Sequence, residues 1–425
     1  MVVYLIMQKE LPFNQEKINE IIKEHQTPFH IYDEKAIKEN AKEFLEAFSW
    51  NKGFKEYFAV KATPNPFIMK ILKDVGFGMD CSSLTELILS EKVGITGENI
   101  MFTSNNTPAE EYKKARELGA IINLDDISHI PFLEKHGGLP NLISFRYNPG
   151  DRRDGGFIMG NPSEVKYGFT KEQVFEGFKI LKEKGVKRFG LHTFIASNEL
   201  NPQYFIDTAE MMFEMAVEIK EKLDIKLEFL NIGGGIGIPY RPEEKAVDLK
   251  QVGNGIKHKY NEIIKTNNLD PLSIFMECGR MITGPYGYLV SKVIHKKDIY
   301  KRHVGLDASM NDLMRPGMYD AYHHITVMGK ENEANTVTYD VTGSLCESID
   351  RFAVDRKLPK TEIGDTLVIH DTGAHGHAMG FNYNGKLRGG ELLLRENGEV
   401  VEIRRDETIK DYFATLDFDK LNQFE

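Results

Sequence analysis

Cysteine is scarce: three residues, Cys81, Cys278 and Cys346, in a chain of 425. An odd number set so far apart excludes a disulfide framework and points to a reducing cytoplasm. No apolar run reaches the ~18 residues that a membrane-crossing helix requires, so no membrane partner is expected. Excess positive charge is also missing: 54 basic against 64 acidic side chains leave a net charge of −10. Nucleic acid, which needs a basic face, is therefore not expected as a partner. Met1–Glu10 lacks the basic start and long apolar core of a secretory signal. No HExxH or CxxC spacing accompanies His370, His375 and His377, so no metal site is assigned. Internal repeats and low-complexity tracts are absent.

What is present is an alternation. Short β-rich runs fall at Tyr57–Ala62, Gly78–Ser82, Ile100–Ser104, Ala120–Leu124, Leu142–Tyr147, Arg188–His192, Leu227–Ile232 and Ser273–Glu277. Between them lie amphipathic helical stretches: Pro66–Val75, Leu84–Val93, Pro108–Leu118, Ile127–Lys135, Lys171–Lys184, Pro202–Leu223 and Val252–Lys265. Thr107-Pro108 reads as an N-cap followed by a proline at the first helical position. Gly76, Gly94, Gly119, Gly137 and Gly185 read as left-handed C-caps. Eight strands each trailed by a helix predict an α/β fold, a (β/α)8 barrel; the competing architecture is a doubly wound open sheet. After Arg280 the helical period fades, and strands such as Gly287–Lys296, Thr336–Thr342 and Thr366–Asp371 predict a mostly antiparallel β-domain. The domain division expected is 36–280 for the barrel, with 1–35 and 281–425 forming the β-domain. The early strand-like segments Val2–Met7 and Phe29–Tyr32 precede the barrel and could pair with it.

In a barrel of this kind, chemistry collects at the C-terminal strand ends. That rule selects Lys61, Asp80, Asn105, Arg146, His192, Gly233–Gly235, Glu277 and Arg280, residues that play no part in placing the strands. Taken singly, a strand-end lysine is a surface residue. At a barrel mouth beside other charges, Lys61 can instead serve as an amine nucleophile. The run Gly233-Gly234-Gly235-Ile236-Gly237 lets backbone N–H groups approach a phosphate. Ile238 stands where a dinucleotide fingerprint has its third glycine, so a single phosphate group fits better. Glu277, in Met-Glu-Cys-Gly-Arg, can keep a pyridinium nitrogen protonated or simply pair with Arg280.

Together these stretches resemble the pyridoxal-phosphate-dependent decarboxylases of the alanine-racemase-like fold, and among them the diaminopimelate decarboxylases. The resemblance runs from about Pro28 to about Leu394. Tyr57-Phe-Ala-Val-Lys-Ala62, Asn231-Ile-Gly-Gly-Gly235 and Met276-Glu-Cys-Gly-Arg280 carry its first half. Asn311-Asp-Leu-Met-Arg-Pro316, Tyr319-Asp-Ala-Tyr-His323, Cys346-Glu-Ser348 and Asn382-Tyr-Asn384 carry its second. It implies pyridoxal 5'-phosphate as cofactor and Lys61 as its attachment point. It implies that His192 stacks on the cofactor ring and Glu277 pairs with the ring nitrogen. Gly233, Gly234, Gly235, Gly279 and Arg280 would hold the phosphate, with Ser197 and Tyr383 close by. Arg280, Arg315 and Tyr319 would bind the substrate's distal carboxylate. Cys346, as proton donor, and Glu347, near the substrate's amine, would come from the second subunit of a homodimer with a shared active site. The activity implied is a carboxy-lyase acting on an amino acid, meso-diaminopimelate to L-lysine.

Three departures qualify the substrate. The family's short His-Ile-Gly-Ser is here His192-Thr-Phe-Ile-Ala-Ser197, which delays the serine by two positions. The proline usual in Glu-Pro-Gly-Arg is Cys278. An Asp151-Arg-Arg-Asp154 run falls near the expected substrate side. The alternatives are a D-ornithine or D-lysine decarboxylase of the same fold, or an amino-acid racemase.

Overall fold

The computed structural model describes residues 9–155, 159–421 and 423–424, which leaves the expected strand Val2–Met7 outside the described residues. The chain divides into two compact units: Ala36–Pro239 with Lys245–Thr283 in one, and the remaining described residues in the other.

The second of these units holds β1 (Phe29–Asp33), and the first unit supplies the next eight strands. They are β2 (Lys55–Ala59), β3 (Gly78–Cys81), β4 (Ile100–Thr103), β5 (Ile121–Leu124), β6 (Leu142–Arg146), β7 (Arg188–His192), β8 (Phe229–Asn231) and β9 (Ser273–Met276). All pair in parallel and in order, and β9 returns to β2, closing the barrel. This settles the fold as the barrel rather than the open sheet. Near the strand starts, Tyr57, Met101, Ile121, Leu142 and Phe229 pack with Phe275 into an apolar plug. Because side chains alternate across a strand, the next inward positions toward the C-terminal ends are the polar ones.

The helical stretches form at the expected places with small shifts. Pro66–Val75 has Asn65 as its cap and Gly76 in the left-handed region. Two local expectations fail. The helix Ala109–Glu117 starts after Pro108, which takes the cap position itself and offers no side-chain acceptor. Gly137 has φ −128°, and it is the following Gly138 that turns left-handed. The last expected helix is α-helical over Leu249–Lys259 and then π-helical over Tyr260–Lys265.

The other unit is a nine-stranded sheet. After β1 come β10 (Gly287–Asp298), β11 (Arg302–Leu306), β12 (Ile325–Val327), β13 (Val337–Thr342), β14 (Arg351–Leu358), β15 (Thr366–Ile369), β16 (Gly390–Leu394) and β17 (Val400–Arg404). The main path runs β14-β13-β11-β10-β1-β16-β17, with β15 joining β10 and β12. Pairing is antiparallel except for β1 with β16 and β11 with β13. The segment Phe29–Tyr32 does not pair with the barrel. As β1 it sits between β10 and β16, because Phe29 and Ile31 belong to this sheet's apolar cluster with Tyr288, Val290 and Leu392.

Candidate active site

Lys61 does not lie on a strand. β2 stops at Ala59, and Val60–Ala62 form a 3-10 turn instead of the expected strand end. Val60 and Ala62 are buried while Lys61 between them is exposed, so the turn delivers one amine out of a buried segment. Its Nζ lies 5.1 Å from the centre of the Phe194 ring. Its positive charge acts on Glu277, Asp80 and Glu86, which places all three carboxyls around it.

Glu277 follows β9 and is 3% exposed. A buried carboxylate needs partners or it takes a proton. Here Oε2 accepts from Asn231 Nδ2 at 3.0 Å, and Oε1 lies 3.1 Å from His192 Nε2. Burial alone would raise its pKa, but the charges of His192, Lys61 and Arg146 hold it below the usual carboxylate range. Asp80, equally buried on β3, goes the other way: burial and the charge of Glu277 push it well up. The two buried carboxyls are thus shifted in opposite directions. His192, at the end of β7, is itself oriented, with Nδ1 3.0 Å from Asn123 Nδ2. The ring's other nitrogen, Nε2, faces Glu277.

The glycine run comes next. Asn231 Oδ1 accepts from the Gly233 N–H at 2.9 Å, so one side chain ties this loop to Glu277. A Cβ on Gly233 would meet the Thr193 carbonyl oxygen at 2.4 Å, and one on Gly235 the Ala196 carbonyl oxygen at 2.3 Å. Both residues also have positive φ, +77° and +85°, so glycine is required twice over. On Gly234 a Cβ would meet the Glu277 carbonyl oxygen at 2.3 Å, and on Gly279 the Ala62 side chain at 2.7 Å. Arg280 opens the short helix Arg280–Thr283, and its Nη2 is 3.5 Å from Ser197 Oγ. The displaced serine therefore does reach the arginine.

The remaining predicted residues lie on the sheet unit. Arg315 is buried, its Nη1 2.8 Å from His323 Nε2 and its guanidinium 4.6 Å from the Tyr240 ring centre. Tyr319 ends the same short helix, Arg315–Tyr319, and is 38% exposed. Cys346 and Glu347 are exposed, and the Cys346 N–H donates to Asn384 Oδ1 at 2.6 Å. That bond sets Cys346 beside the turn Tyr383–Gly385, where Tyr383 is half-exposed. Among the described residues no group of three or more His, Cys, Asp or Glu side chains is arranged to hold a metal ion, and no helix is long and apolar enough to cross a membrane.

The run Asp151–Asp154 spends its arginines on the helix Pro202–Leu223. Arg152 is 3.5 Å from Glu214, and Arg153 is 3.6 Å from Asp207 and stacked on Tyr204. Sequence reasoning missed Asn123, which orients His192. It also assigned no task to Asn231, although that residue stood inside a quoted motif. The signal available for both was a strand-end amide facing the barrel interior.

Comparisons with known proteins follow the same lines. Residues 34–284 match the family described as pyridoxal-dependent decarboxylase, pyridoxal binding domain. Protein TabA of Pseudomonas amygdali pv. tabaci is 42% identical over 96% of this chain and 95% of its own. The diaminopimelate decarboxylase of Methanothermobacter thermautotrophicus is 34% identical over 92% of each chain. A solved structure of diaminopimelate decarboxylase from Helicobacter pylori, complexed with L-lysine, superposes with a TM-score of 0.86 at 30% identity, covering 95% of this chain and 100% of that one.

Proposed function

The chain belongs to the pyridoxal-dependent decarboxylases, and from that membership we propose that it converts meso-diaminopimelate to L-lysine with release of carbon dioxide. Its cofactor is pyridoxal phosphate, and it is a carboxy-lyase. The barrel mouth fits that group. An exposed amine emerges from a buried turn, a buried carboxyl bonded to Asn231 faces the same centre, and a glycine loop has no room for a Cβ at Gly233, Gly234 or Gly235.

Bound there, the cofactor supplies an electron sink for the bond between Cα and the carboxylate. The protein's residues do the rest. Lys61 would hold the cofactor through its amine. Glu277, ionised and braced by His192 and Asn231, holds a proton at the ring nitrogen. His192 packs against the ring. The backbone of Gly233–Gly235 and of Gly279–Arg280 holds the phosphate, with Ser197 and Tyr383 as further ligands. Arg280, Arg315 and Tyr319 take the substrate's distal carboxylate. Cys346 returns a proton to Cα, and Glu347 faces the amine; both come from a second copy of the chain.

The observation that carries this reading is the Glu277 carboxylate, buried at the barrel mouth between Asn231 Nδ2 and His192 Nε2 with the charge of Lys61 acting on it. An anionic partner at the ring nitrogen favours full electron withdrawal and hence loss of carbon dioxide over racemisation. The diaminopimelate assignment rests on the relatives bearing that name and on Arg315 and Tyr319. A second reading, decarboxylation of D-ornithine or D-lysine, rests on the Asp151-Arg-Arg-Asp154 departure near the expected substrate side. A panel of meso-diaminopimelate and both enantiomers of lysine and ornithine, scored for carbon dioxide, decides. Turnover of diaminopimelate at least tenfold above the others is expected; faster turnover of a D-diamino acid would replace it with the second reading.

A further inference from the structure

Glu56 is the second residue of β2, between Lys55 and the apolar run Tyr57-Phe-Ala. It has no exposed surface. Strand alternation turns it away from Tyr57, which packs in the barrel's interior plug, so Glu56 lies behind the barrel wall and outside the candidate site. An acid in such a layer is expensive unless it does something there. Its Oε1 accepts the backbone N–H of Cys278 at 2.5 Å, while Oε2 is buried with no hydrogen-bond partner. The Cys278 carbonyl oxygen in turn accepts from the Ala59 N–H at 3.5 Å. Both backbone groups of Cys278 are therefore held from β2, the strand that delivers Lys61.

Cys278 stands between Glu277 and Gly279. The loop has little freedom on its other side, because the Glu277 carbonyl oxygen lies against Gly234. Burial, with the nearby carboxyl of Glu277, drives Glu56 well above the usual carboxylate range. A proline at position 278 would have no N–H to satisfy.

We propose that Glu56 is a positioning residue: its carboxyl oxygen holds the Cys278 N–H and so sets the Glu277 carboxylate and the Gly279–Arg280 backbone in register with Lys61. This rests on the proposed role of Glu277 at the cofactor's ring nitrogen.

The test uses Glu56→Gln, Glu56→Leu, and Glu56→Leu combined with Cys278→Pro. Each is measured for kcat, KM, pyridoxal phosphate affinity by titration into cofactor-stripped protein, and the absorbance spectrum of the bound cofactor across pH. Glutamine keeps a neutral acceptor, so Glu56→Gln is expected within about threefold of the parent. Glu56→Leu leaves the N–H buried and unpaired. It is expected to lower kcat and cofactor affinity by roughly 10- to 100-fold and to shift the pH dependence of the spectrum, with KM changed less than about threefold. The double variant removes the orphaned N–H and is expected to regain about tenfold of that loss. If Glu56→Leu does not fold, a folded double variant supports the inference and an unfolded one overturns it. It is also overturned if Glu56→Leu matches the parent, if Glu56→Gln falls as far as Glu56→Leu, or if the double variant recovers nothing. A parent that binds the cofactor but decarboxylates nothing on the panel would sink the functional reading instead, and the affinity and spectral arms would still judge Glu56.

Discussion

Apart from the buried Arg315, the barrel and the sheet unit present their predicted site residues in opposite ways. On the barrel, Glu277, His192, Asn123 and Asn231 are buried and bonded to one another, and only Lys61 is left exposed among them. On the sheet unit, Cys346 and Glu347 are exposed and Tyr383 is half-exposed. Buried polar groups work best when their partners are fixed in advance, since nothing then reorganises as charge develops. The barrel has this property within a single chain. The exposed residues of the sheet unit do not, which matches a role completed only when a second copy covers them. Cofactor chemistry and proton return are thus separable, and mutations should separate them.

The largest expected effect is at Lys61. Lys61→Ala should abolish the absorbance band of lysine-attached pyridoxal phosphate and lower kcat by at least roughly 10⁴-fold. An unchanged band would mean that the barrel half is misassigned. Cys346→Ala should leave that band intact while lowering kcat by about 10²- to 10⁴-fold, the span of a lost general acid. Mixing the two inactive variants sharpens the comparison. If Cys346 serves the neighbouring copy, statistical pairing into two-fold dimers restores about a quarter of the parent's activity; no recovery would place both residues in one chain's site. Arg315→Ala should be smaller and selective, with kcat/KM for diaminopimelate down about 10- to 100-fold, the worth of a charge-assisted contact, and D-lysine nearly unaffected. Equal losses would show that Arg315 acts only through its contacts with His323 and Tyr240, and a thermal midpoint for each variant separates that case.

The barrel was legible because its strands are short, branched and evenly spaced, and because its chemistry falls at their ends. Lys61, His192, Glu277 and the glycines are visible on that rule alone. The strand β14, Arg351–Leu358, was not. It is an edge strand, and its charged residues break the apolar alternation that marks an inner strand. The helices Gln15–Glu24 and Glu34–Ala47 precede the first alternating unit and went unread. The pairing of Phe29–Tyr32 is a long-range choice between two sheets, which local periodicity does not encode. Glu56 was hidden for a related reason: a lone acid in a strand shows its purpose only when its partner, 222 residues away, is known.

The smallest expected effect tests the sheet unit without touching chemistry. His30 is buried in β1, its Nε2 3.1 Å from the Asp312 carbonyl oxygen and its ring edge-on to His377. Burial, reinforced by the charge of His377, lowers its pKa to about 4. The unfolded chain takes up this proton near pH 6.5, so the histidine term costs stability as pH falls from about 6.5 to about 4, reaching about 3 kcal/mol. Asp312 and Asp371, raised to about 6 by burial, work against it. The fold keeps their protons up to about pH 6 while the unfolded chain loses them near 4, so their contribution improves as pH falls through the same window. The parent's own slope is therefore a near-cancelling sum, and only a difference isolates the histidine. His30→Gln should be less stable than the parent at pH 7 through lost packing, and that deficit should shrink by about 2 kcal/mol by pH 5 in denaturant titrations, because the variant has no proton to take up. Parallel stability curves across that range would mean that His30 is protonated in the folded sheet and that its surroundings are wetter than the packing around β1 indicates.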